Sequence, residues 1–92
     1  MVNQSMMELV YPKHNTRIFI PRMLDGSPGS SVFELAHRNN YSQVYWHLDG
    51  QYLGSTVKVH RMSLNPREGR HKLTLVDEQG NILEREFVAV AD

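Results

Sequence analysis

The chain has 92 residues, 40% hydrophobic and 22% charged, with ten Lys plus Arg balanced by ten Asp plus Glu. That is one globular domain's worth of chain, neither a disordered tail nor a basic polyanion binder, so nucleic acid is not an expected partner. No apolar run approaches the roughly 20 residues that span a bilayer, and the absence of cysteine excludes disulfides, zinc–cysteine sites and thiol catalysis.

Residues 1–7 carry no periodicity and are expected to be a flexible N-terminal segment, with a single domain over 8–92. Beyond them, short segments alternate with period two between turn signals. Thr16 to Pro21 puts Ile18 and Ile20 on one face. Asp25 to Ser30 is a loop. Val32 to His37 puts Phe33, Leu35 and His37 on one face, and Asn39-Asn40 turns the chain. In Ser42 to Leu48, Val44, Trp46 and Leu48 oppose Gln43, Tyr45 and His47. Asp49-Gly50 is a two-residue hairpin turn, which needs positive φ at both positions. Asn65 to Gly69 is a loop. Lys72 to Val76 sets Leu73 and Leu75 against Lys72 and Thr74, Asp77 to Asn81 closes a hairpin, and Ile82 to Val90 is a strand of ambiguous facing. No window holds an apolar i, i+3, i+4 pattern long enough for a helix.

Several short strands at about ten-residue spacing indicate an all-β sandwich or barrel. The expected fold is an immunoglobulin-like β-sandwich of about seven strands. Such domains place a Trp on the third strand and a Tyr two residues before an inward-facing position on a later strand. Trp46 holds the first place. Gly69 falls where the later corner turns, His71 stands in the corner position, and Leu73 and Leu35 take the places of the bridging cysteines.

Each candidate for chemistry has a structural counterpart. Ser55-Thr56-Val57-Lys58 matches the S-x-x-K nucleophile motif, but that chemistry needs both side chains on one helix face. A β-rich segment after a hairpin sends positions i and i+3 to opposite sides, so no catalytic residue is assigned. The five histidines have no paired-ligand spacing, so neither metal nor cofactor is expected; His71 is the corner residue and the others are expected at the surface. Tyr45 and Tyr52 flank the Asp49-Gly50 turn and share an outer face with His47. Those three form the candidate interaction surface, either stacking on sugar rings or packing across strands. Trp46, Gly50, Gly69, His71 and Leu73 are expected to be structural. Lys72 is expected to pair with Glu84 or Glu86 across the last hairpin.

Residues 10–90 resemble the C-terminal domain of bifunctional penicillin-binding proteins of the 1C type. The resemblance rests on Tyr11-Pro12 followed by Thr16-Arg17-Ile18-Phe19-Ile20-Pro21, on Val44-Tyr45-Trp46-His47-Leu48-Asp49-Gly50-Gln51-Tyr52-Leu53-Gly54, and on Glu68-Gly69-Arg70-His71-Lys72-Leu73-Thr74-Leu75-Val76-Asp77-Glu78-Gln79-Gly80. It implies a non-catalytic accessory module of a membrane-anchored peptidoglycan synthase. The glycosyltransferase and transpeptidase domains would lie elsewhere in the full chain. It also implies a periplasmic, extracytoplasmic location. The implied partners are the transpeptidase domain of the same chain or other cell-wall synthesis proteins. The alternative is a stand-alone carbohydrate- or peptidoglycan-binding sandwich using the outer aromatic face on glycan strands.

Overall fold

In a computed structural model that describes residues 6–91, the chain forms eight strands and, among those residues, no helix. They are β1 (Met7–Tyr11), β2 (Thr16–Ile20), β3 (Ser31–His37), β4 (Gln43–Leu48), β5 (Gln51–Val57), β6 (His60–Leu64), β7 (Gly69–Asp77) and β8 (Ile82–Ala91). One sheet runs β1-β3-β6 and the other β2-β8-β7-β4-β5. This is the immunoglobulin-like order, with the first strand split so that each sheet receives a piece of it. All pairings are antiparallel except β2 with β8, which is parallel.

The alternation in the sequence explains the two-layer arrangement. Successive side chains point to opposite faces, so each strand offers one apolar row. Phe33 and Leu35 from the smaller sheet meet Ile18, Val44, Trp46, Leu73, Leu75, Phe87 and Ala89 from the larger in one buried cluster. Trp46 is 0% exposed, and Phe33 meets Phe87 edge-on with ring centroids 5.2 Å apart. Each such ring contributes about 1.5–3 kcal/mol through burial. Leu35 and Leu73 both lie in this core, where a disulfide would otherwise link the sheets.

Two strands lie outside the segments that alternation marked. β1 buries Met7 and Leu9, so Met7 belongs to the sheet, while residues 1–5 lie outside the described residues. β6 buries His60 and Leu64. Its inward row is His60, Met62 and Leu64, so a polar residue leads it and only two apolar positions mark the alternation. The ambiguity of the last strand resolves: Leu83, Phe87 and Ala89 face inward, Glu84 and Glu86 outward.

Asp49 and Gly50 take φ of 51° and 83°, as the two-residue hairpin requires. Gly69, at the start of β7, has φ of 129°. Among the described residues no helix is long and apolar enough to cross a membrane.

Candidate functional site

The β4–β5 hairpin places the three predicted surface residues together. His47 is directly opposite Tyr52, and Tyr45 is opposite Ser55. The two-residue turn sets the His47–Tyr52 pair, and a bulge between Trp46 and His47 shifts the pairing beyond it, so that Tyr45 faces Ser55 rather than Gly54. The Tyr45 and Tyr52 rings lie 6.4 Å apart at 42°, and the His47 and Tyr52 rings 5.4 Å apart. Tyr52 is 54% exposed; Tyr45 and His47 are half-buried beneath it. His47 Nδ1 is buried with no hydrogen-bond partner.

The row continues across the sheet. Thr74 lies opposite His47, and Glu84 opposite Thr74. Lys72 reaches Glu84 at 3.3 Å, the ion pair expected across the last hairpin. The face therefore runs from an aromatic edge through a hydroxyl to a solvated ion pair. It can stack and hydrogen-bond, which is the chemistry of contact.

His71 works as a corner. Its Nδ1 donates to Asp49 Oδ2 and its Nε2 to the Arg67 carbonyl, both at 2.6 Å. Both acceptors lack a proton to give, so in this geometry each ring nitrogen serves as the donor. Its ring also stacks on Phe87, centroids 5.4 Å apart. Asp49 accepts the Lys72 N–H as well, at 2.8 Å. Burial raises the Asp49 pKa, but the bonds from His71 and Lys72 outweigh it and hold the carboxyl below its ordinary value.

Two histidines expected at the surface are instead buried between the sheets. His60 is 4% exposed, and the His37 side chain has no exposed surface. Asn39 N–H donates to His37 Nδ1 (2.9 Å), so the ring proton sits on Nε2 and goes to Asp77 Oδ2 (2.8 Å). Asp77 also accepts from the Gln79 and Asn81 N–H groups and from Asn81 Nδ2. Burial opposes its charge, yet the bonds from Asn81, His37 and Gln79 prevail and lower its pKa. Beside this pair, Trp46 Nε1–H donates to Thr56 Oγ1 (2.8 Å). The Thr56 hydroxyl in turn donates a hydrogen bond to His60 Nδ1 (2.7 Å), and His60 Nε2 has no partner. Desolvation, then the nearby His37, lowers the His60 pKa. Burial of His37 was signalled by its parity with Phe33 and Leu35. That of His60 had only its shared parity with Met62 and Leu64 to signal it, a pattern of two apolar positions.

Ser55 and Lys58 go to different partners. Ser55 Oγ accepts from Gln43 Nε2 at 2.7 Å, while the Lys58 ammonium sits 6.0 Å from the Tyr41 ring. Among the described residues, no three His, Asp or Glu side chains are grouped to hold a metal ion.

A family model, the Penicillin-Binding Protein C-terminus Family, matches residues 1–89. No curated protein matches the chain. Among solved structures, the chain is similar to the Clostridium thermocellum CbhA fibronectin(III)-like modules. That match has a TM-score of 0.69 and 13% identity, covering 94% of this chain and 98% of that one. At that identity the likeness supports the fold: a sandwich of the immunoglobulin-like class.

Proposed function

The chain belongs to the penicillin-binding protein C-terminus family, and from that premise we propose that it is the non-catalytic accessory module of a bifunctional peptidoglycan synthase of the 1C type. It works in the periplasm, in a parent protein anchored in the inner membrane, and it acts by contact. The observation that carries this reading is the family match over residues 1–89. The placement of the polar groups supports it: His71, Asp49, His37 and Asp77 all spend their hydrogen bonds on joining strands and loops. The transpeptidase domain of the same chain is the proposed partner. The row Tyr52-His47-Thr74-Glu84 is the proposed contact face, since an exposed tyrosine beside hydrogen-bonding groups is a common interface anchor.

The test is the affinity of this chain for the parent's transpeptidase domain, measured by surface plasmon resonance. Tyr52→Ala combined with Tyr45→Ala should weaken it about tenfold or more while circular dichroism stays unchanged. Unchanged affinity in the folded double variant removes the proposed face. A glycan strand is the second reading, favoured by the tilted tyrosine pair beside the Lys72–Glu84 ion pair. It requires that peptidoglycan fragments shift the NMR signals of residues 43–54, and silence there at millimolar ligand eliminates it.

A further inference from the structure

We propose a second binding site, distinct in its chemistry from the proposed aromatic face: a cleft that takes the C-terminal end of a peptide, its last apolar side chain together with the free carboxylate. The site is independent of the accessory-module reading and is testable on this chain alone.

The cleft lies where β2 and β8 end, between the β2–β3 loop and the β6–β7 loop, and has a volume of 270 Å³. Its floor is core: Ile20 is 4% exposed, Ala89 is 0% exposed, and Pro66 is buried. Pro21, Pro28 and Val90 extend the apolar wall. Three charged residues line it as well: Arg22, Arg67 and Glu68. All three are exposed, and neither arginine has an ion-pair partner among the described residues. A volume just under the usual range of about 300–1,000 Å³ for small-molecule sites suits one residue and its terminal group. An apolar floor beside two unpaired guanidiniums selects an apolar side chain next to an anion. The planar fork of Arg matches a carboxylate with two parallel hydrogen bonds.

Both walls are held in place before any ligand arrives. The β2–β3 loop is a small hairpin. Arg22 bridges Pro28, Met23 N–H donates to the Ser27 carbonyl (2.8 Å), and Gly29 N–H donates to the Pro21 carbonyl (2.6 Å). Asp25 fixes its tip by accepting from the Ser27 N–H (3.0 Å) and hydroxyl (2.6 Å). Gly29 allows the neck to close, since a Cβ there would lie 2.8 Å from the Pro21 carbonyl oxygen. On the other wall, the Arg67 carbonyl is tied to His71, and His71 to Asp49. The corner histidine is therefore a positioning residue for the Arg67 rim. Preordered walls lower the entropic cost of binding so small a ligand.

The experiment is an NMR titration of the ¹⁵N-labelled chain with N-acetyl-leucine and, separately, N-acetyl-leucinamide. The carboxylate should shift the amide signals of Ile20, Arg22, Arg67, Glu68 and Val90 in a saturable way, with Kd on the order of 1 mM. The neutral amide should bind about tenfold more weakly. Arg67→Ala and Arg22→Ala should each weaken the carboxylate several-fold, whereas Glu68→Gln, which removes the one like charge, should strengthen it. Glu68→Gln separates carboxylate recognition from mere damage to the loop. Equal affinity for acid and amide, or no shift at these residues up to about 10 mM, overturns the proposal.

Discussion

A histidine that donates from both nitrogens loses two bonds at once when it is removed. His71→Ala leaves the Arg67 carbonyl and the Asp49 carboxylate without their donor and strips a ring from Phe87. The expected cost is about 2 kcal/mol, read as a lower urea midpoint; a change under about 0.5 kcal/mol would show that the corner is dispensable. His60 makes a different prediction, in pH. Its folded pKa lies below the ordinary 6.5, so the unfolded chain takes up a proton first as pH falls. Stability from keeping His60 neutral is whole above about pH 6.5 and declines as pH drops through that value toward the folded pKa. Asp49 and Asp77 act in the same direction lower down. Their folded pKa values lie below the ordinary 3.8, so their contribution is present above that pH and lost beneath it. His60→Gln should therefore flatten the stability curve between about pH 7 and pH 5 and leave the loss near pH 3 in place. Denaturation midpoints across that range check it, and a slope unchanged in the variant refutes the role of His60.

At the level of elements, the turns with a backbone requirement were the most legible. Asp49-Gly50 announces its hairpin because few residues accept positive φ twice in succession. Gly50→Ala should cost about 1–2 kcal/mol, since its φ of 83° is strained for any residue with a Cβ even though nothing crowds that position. Thermal melts of the two proteins measure this, and an equal Tm would mean that the turn can refit. Segments with clean alternation, such as Gln43–Leu48, were equally readable. β1 and β6 were not. β1 has only two buried positions, and β6 turns a histidine inward, which no hydrophobic pattern records. Nor does alternation say which strands become neighbours. The parallel pairing of β2 with β8 joins segments nearly the whole chain apart. Within the candidate face, the proximity of Tyr45, His47 and Tyr52 followed from the turn alone. Its extension to Thr74 and Glu84 needed the β4–β7 and β7–β8 registers.

For the molecule as a whole, the sequence's charge balance hides a division of labour. The core is apolar at its centre, while its end nearest the β7–β8 turn is sealed by the polar seam of His37, Asp77, Thr56 and His60. Buried polar groups of this kind add little net stability but penalise any arrangement that leaves them unpaired. They fix how β3 and β6 of the smaller sheet meet β5 and β7 of the larger, a task that cysteine pairs perform elsewhere in this fold class. Fold class was legible because a period of two is a property of single strands. The seam was not, because it exists only after two sheets have met.

The split first strand also gives the molecule a mechanical axis. β2 runs parallel to β8 with five residue pairs in register, Thr16 with Phe87 through Ile20 with Ala91. Tension applied between the chain entering β2 and the chain leaving β8 pulls the two neighbours past each other. All the bonds of the pair then resist together, in shear. Force applied between Gly50 and the end of β8 has no such patch to load and peels strands one bond at a time. Single-molecule pulling between the β1–β2 link and the end of β8 should thus require a higher rupture force than pulling from Gly50, and equal forces would mean that the pair carries no load. A domain built this way can sit in a chain under tension and keep its surfaces intact while weaker linkers stretch.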